Sequence, residues 1–184
     1  MLKIMIRKSF QRSLLWIFLA LVTGILTGKT TQAQDRQHPG ADREVRMLLA
    51  QFLKPKANTR ALTLALRPTR KDIFTYFKKN AAQKALTYYR DMWMNMDKGI
   101  RPRHGQNRFL IVKATVKELK NGTGKSSLFP GGYKKVAHLI NEGFTIYRFK
   151  FVRNNSKFGM AVDGLVFVNG RWVFFPKPWK ALGL

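Results

Sequence analysis

The stretch Leu165-Val166-Phe167-Val168-Asn169-Gly170-Arg171-Trp172-Val173-Phe174-Phe175 decides the fold. Two β-branched and aromatic runs flank Asn-Gly, the dipeptide that best tolerates the two positive φ angles of a type I′ turn. The stretch is therefore a two-residue hairpin, and its register follows. Val168 faces Arg171, Phe167 faces Trp172, Leu165 faces Phe174 and Asp163 faces Pro176. Period two puts Asp163, Leu165, Phe167, Trp172 and Phe174 on one side, with Gly164, Val166, Val168, Val173 and Phe175 on the other. Both sides are apolar, so both need cover. Helices can supply one; the other calls for a neighbouring loop, the segment 176–179 or a second copy of the chain, making a homodimer through the sheet.

Upstream, strands are expected at 108–119, 144–153 and 160–168, with 171–176 as the last. Leu110, Val112, Ala114 and Val116 alternate with Lys113 and Lys117; Tyr147, Phe149 and Phe151 alternate with Arg148 and Lys150. Each strand thus has one wet, basic face. If the two are neighbours, Lys113, Lys117, Arg148 and Lys150 form a polyanion-binding patch.

The region before residue 98 is helical in pattern. Asp42 is a cap for a helix over 43–53, closed by Lys54-Pro55. Residues 59–67 suit a short strand or a helical turn. Thr69-Arg70-Lys71-Asp72 reads as a capping box, and Asn80 either caps a further helix or lies inside one long helix. Ala81, Ala85, Tyr88, Tyr89, Met92 and Trp93 keep helical spacing. Residues 131–142 are a short helix or a connection. Helices at about 42–98 and an antiparallel sheet at about 108–176 make a single α+β domain over 42–184, the helices packed on a curved sheet that ends in a hairpin.

Residues 1–33 have the parts of a secretory signal peptide. Lys3, Arg7, Lys8 and Arg12 precede an apolar run from Leu14 to Leu26, and Thr31-Gln32-Ala33 supplies small residues before a cut between Ala33 and Gln34. The run is shorter than the roughly 20 residues that span a bilayer, so no membrane anchor is expected after cleavage. The expected localisation is periplasmic or secreted, with 34–41 a mobile lead-in. The chain has 35 Lys+Arg against 9 Asp+Glu, a net charge of +26. Only Lys3, Arg7, Lys8, Arg12 and Lys29 of these bases lie before residue 34, so most of the excess belongs to the domain. Anionic envelope polymers and lipid headgroups are the partners such a charge fits; no feature reads a specific nucleic acid.

Chemistry is sparse. The chain has no cysteine and three scattered histidines, and no His-Glu-x-x-His, so neither a metal nor another cofactor is expected. Asn121-Gly122-Thr123-Gly124-Lys125-Ser126 ends like a phosphate loop but has Leu119 where the first glycine belongs. Asp163 stands out as a carboxyl on an apolar face, with His138 as its partner if 131–142 folds over that end of the sheet. Its roles are a strand-end structural group, a ligand-orienting group or a general base. Tyr133, Tyr147 and Trp172 join Asp163 as candidates to line a pocket, Tyr133 from the loop that follows Phe129-Pro130-Gly131-Gly132.

The hairpin Val168-Asn169-Gly170-Arg171-Trp172-Val173-Phe174, closing a helices-then-sheet order over 43–176, resembles the NTF2-like superfamily of α+β cones. The resemblance implies a pocket between helices and concave sheet. It is compatible with an isomerase or hydrolase, a binding domain or a scaffold, so fold alone does not choose among them. The first reading is a non-catalytic exported domain binding a small ligand or a protein partner. A basic envelope protein held to anionic surfaces comes second, and an enzyme with Asp163 as general base third.

Overall fold

The computed structural model describes residues 41–184, which fall within one compact unit. The expected signal peptide over 1–33, its expected cut between Ala33 and Gln34 and residues 34–40 lie outside the described residues. Ala41, the end of the expected lead-in, opens the first helix. Four helices come first: α1 (Ala41–Phe52), α2 (Thr59–Leu64), α3 (Arg70–Tyr76) and α4 (Lys79–Met94). Then come β1 (Arg108–Thr115), α5 (Val116–Asn121), α6 (Gly132–Val136), β2 (Thr145–Val152), β3 (Ala161–Val168), β4 (Arg171–Phe174) and α7 (Pro178–Ala181). The fold is α+β. The strands make one antiparallel sheet in the order β1-β2-β3-β4. No described helix is long and apolar enough to cross a membrane.

Local chemistry sets the helix boundaries. Asn58 resolves the ambiguity at 59–67 in favour of helix, its Oδ1 accepting from the Ala61 N–H at 3.0 Å. The Thr69–Asp72 capping box is present and starts α3. Neither reading of Asn80 holds. The break falls earlier, where Phe77 turns extended to bridge Ile140 and Lys78 donates to the Leu139 carbonyl. The strand expected over 108–119 stops at Thr115. There Thr115 and Glu118 form a second capping box, turning Val116 to Asn121 into helix, and Gly122 ends it in the left-handed region. Lys117 therefore sits on α5 and shares no strand face with Lys113.

The hairpin has the expected register, with Asn169 at φ 50° and Gly170 at φ 80° as a type I′ turn needs. Its turn is tied to the helices. Buried Asp72 takes hydrogen bonds from the Asn169 side-chain amide at 2.8 Å and Arg171 at 2.7 Å, besides those from Thr69. Arg171 also donates to the Ala65 carbonyl at 2.7 Å.

One residue upstream of Leu165 the expectation fails. Tyr147 pairs with Leu165, but Arg148 pairs with Asp163, leaving Gly164 as the extra residue of a β-bulge at φ 104°. An added residue inverts the alternation, so Asp163 faces away from Leu165, Phe167 and Trp172. It does not pair with Pro176; instead the Gly164 carbonyl accepts from the Phe175 N–H at 2.8 Å.

The sheet consequently has two distinct faces. The first aligns Lys113, Tyr147, Leu165 and Phe174; the second aligns Val112, Arg148 and Asp163, and beside them Ala114, Ile146, Val166 and Val173. Helix α1 covers part of the first, with Phe52 against Phe151 at 6.1 Å between ring centroids. On the second side α3 packs against β3, and Tyr76 stacks on Phe175 at 4.5 Å. Cover on the first face thus comes in part from α1. The C-terminal α7 closes over α6, where Trp179 lies so near Gly132 that a Cβ there would be 2.3 Å from its ring.

Candidate functional site

The four expected ligand residues meet as two pairs on opposite faces. Tyr147 and Trp172 pack edge-to-face at 5.2 Å on the first face. On the second, the Tyr133 hydroxyl donates to Asp163 Oδ1 at 3.0 Å. Tyr133, Tyr76 and Tyr89 are fully buried, and the Asp163 charge contributes to holding all three phenol pKa values up, after the larger effect of burial. The side of the sheet that Asp163 faces thus holds tyrosine rings. Burial raises the Asp163 pKa, against the opposing pull of Tyr133, Arg148 and Lys177. His138 is exposed on a 3₁₀ turn, Ala137–Leu139.

A raised folded-state pKa means that ionised Asp163 costs stability, a cost absent at low pH and incurred as pH rises through the folded value. Asp163→Asn is therefore expected to unfold at the same urea concentration as the parent at pH 7, or a higher one. A loss above about 1 kcal/mol would show instead that the charge pairs favourably with Arg148.

The polyanion patch also separates. Lys113 stands opposite Tyr147 while Arg148 stands opposite Val112, so Lys113 and Arg148 project to different faces. Lys113 is engaged by Asp42 at 2.7 Å, and the same carboxylate accepts from the Tyr147 hydroxyl at 2.9 Å. Asp42, expected as a cap, thus ties α1 to the sheet; the Lys113 hydrogen bond first, then Tyr147, holds its pKa low. Lys150 and Arg148 line a small cavity of about 170 Å³ on the second face, without Lys113 or Lys117.

The larger opening lies elsewhere. A cavity of about 550 Å³ is floored by Phe151, Val162 and Phe174 of the first face, with Met96 and Ile100 beside them. Lys98, Arg101, Arg103 and Lys177 line it, and no lining residue is acidic. Its rim is the segment after α4, and α2 holds that segment. Buried Thr63 accepts from the Ile100 N–H at 2.9 Å and donates to the Thr59 carbonyl at 2.7 Å. Gly99 is required there, since a Cβ would lie 2.7 Å from the Thr63 hydroxyl. Arg60 donates to the Asp97 carbonyl at 3.0 Å, and Gln106 braces the Arg103 N–H at 2.7 Å.

The sequence pattern ends its helical region near residue 98 and assigns no role to Lys98-Gly99-Ile100-Arg101-Pro102. A spaced run of cations around one aliphatic residue was the available signal. Among the described residues no cluster of His, Asp or Glu could hold a metal ion. No protein-family model, curated protein or solved structure matches the chain.

Proposed function

We propose that the domain is a non-catalytic binding module, exported and built on an NTF2-like cone, that takes a small amphipathic anion in the 550 Å³ cavity. The observation that carries this reading is an aromatic and aliphatic floor under a rim of four cations with no acid. Its volume falls in the range of small-molecule sites. An apolar body would lie on Phe151, Val162 and Phe174, and an anionic head would meet Arg101, Arg103, Lys98 or Lys177. The enzyme reading is weaker, because Asp163 is on the other sheet face and its carboxylate is met by Tyr133.

The test is displacement of anilinonaphthalene sulfonate fluorescence by dodecanoate and by dodecanol. Dodecanoate is expected to compete better than the neutral alcohol. Arg101→Glu should weaken it roughly tenfold, the scale of one charge-assisted contact. Val162→Trp, which fills the floor, should weaken both competitors. Equal displacement by the two, insensitive to Arg101→Glu and Val162→Trp, would refute the assignment.

A further inference from the structure

We propose that the β2–β3 loop, residues 153–160, docks this domain on an anionic lipid bilayer, with Phe158 and Met160 entering the interface. Phe158 is 88% exposed and Met160 64%, the two largest exposures among the exposed large hydrophobic side chains of the described domain. They are two residues apart on one loop, so they make a single apolar tip. Isolated exposed hydrophobics need no explanation, but an aromatic held almost wholly in water by fixed backbone on both sides of it does.

The loop is built to hold that tip outward. The Ser156 N–H donates to the Arg153 carbonyl at 3.2 Å, and the Phe158 N–H donates to Ser156 Oγ at 3.1 Å. Asn155 takes the left-handed conformation at φ 58°. Gly159 lies against β2 so closely that a Cβ would sit 2.2 Å from the Phe151 carbonyl oxygen. The chain is thus pressed onto the sheet on one side of Phe158 and tied by Ser156 on the other. Collapse of the ring onto the core would require undoing both.

Charge selects the partner. Arg153 and Lys157 stand on the loop itself, exposed. The Arg153 side chain lies over Gly105, at 3.1 Å from where its Cβ would be, which brings the loop beside the segment carrying Arg101 and Arg103. Neither 98–108 nor 150–160 contains an acidic residue. An apolar tip ringed by cations is the pattern of an interfacial anchor, in which side chains enter the acyl boundary while the cations stay at anionic headgroups. A protein partner would be met by a broader apolar area with fewer charges. Met160 also lines the large cavity, so docking would place the mouth of that cavity at the lipid surface. The proposal does not depend on the cavity's having a ligand.

The test uses residues 34–184, since the described part forms a compact unit and the apolar run 14–26 would partition by itself. Co-sedimentation is measured with phosphatidylcholine vesicles, with and without phosphatidylglycerol. Binding is expected only with the anionic lipid and should weaken as salt rises. Phe158→Ser should reduce partition about tenfold, the scale of withdrawing one large apolar side chain from the interface. It should leave thermal stability and the dodecanoate competition unchanged, so failure here and failure of the cavity reading are separable. In Phe158→Trp the indole emission should shift to the blue with anionic vesicles. Three results would overturn the proposal: no partition, partition indifferent to Phe158→Ser, or a blue shift that follows protein concentration without vesicles. The last would make a second copy of the chain the occupant.

Discussion

Gly164→Ala is expected to lower stability by about 3–4 kcal/mol, combining the strain of a side chain at this backbone conformation with overpacking. Gly164 sits at φ 104°, outside even the left-handed helical region, and a Cβ there would lie 2.1 Å from the Phe175 carbonyl oxygen. That oxygen belongs to the backbone following β4 and cannot swing away as a side chain would. Urea denaturation should show a lower midpoint at unchanged slope. The control is Gly170→Ala in the hairpin turn, where φ is 80° but nothing lies within 4 Å of the added Cβ. Strain alone then acts, and the expected loss is about 1 kcal/mol. If the two variants lose equal stability, the close approach at Gly164 contributes nothing and the bulge is unimportant.

Asp72→Ala is expected to cost about 3 kcal/mol, the range found when one partner of a buried ionic pair is removed. Asp72 is 2% exposed, and its two oxygens satisfy the Thr69 N–H and hydroxyl, the Asn169 amide and one arm of Arg171. The half-exposed Arg171 can still reach water, which keeps the loss at the lower end. Burial opposes ionisation of Asp72, but the Thr69 and Asn169 hydrogen bonds and the Arg171 charge outweigh it and hold the pKa below the ordinary carboxylate value. For a carboxyl depressed in the folded state, the stabilisation is complete above the unfolded value, about 3.9, and disappears as pH falls through the folded one. The parent should therefore lose stability below about pH 4 by a component that Asp72→Asn lacks. An identical acid profile for parent and variant would remove Asp72 from the account.

Signals confined to a few neighbouring residues were legible. The Asn169-Gly170 turn and the Thr69–Asp72 box both act within four residues, and both stand in the structure. Thr115-Val116-Lys117-Glu118 carries the same box, yet it was read as strand. Val112, Ala114 and Val116 continue the alternation across the boundary, and Val116 is buried in the helix as it would be in the sheet. Gly164 was visible as a lone glycine in a strand, which is a bulge signal. Treating it as an ordinary position carries Asp163 to the wrong face and groups it with Trp172. The cavity was the least legible feature. Its walls come from α2, the segment after α4, three strands and Lys177, and no periodicity relates residues so far apart.

The Asp72 network also bears on timing. Its donors Asn169 and Arg171 lie 97 and 99 residues downstream, and Arg171 reaches back 106 residues to Ala65. A ribosome that has made everything up to residue 168 has produced an acid that must either stay in water or be buried without those donors. Burial without them is unfavourable, so the corner between α2 and α3 gains its full stability only with the last hairpin in place. Ala65 and Asp72 are thus fastened by residues that synthesis supplies about a hundred positions later.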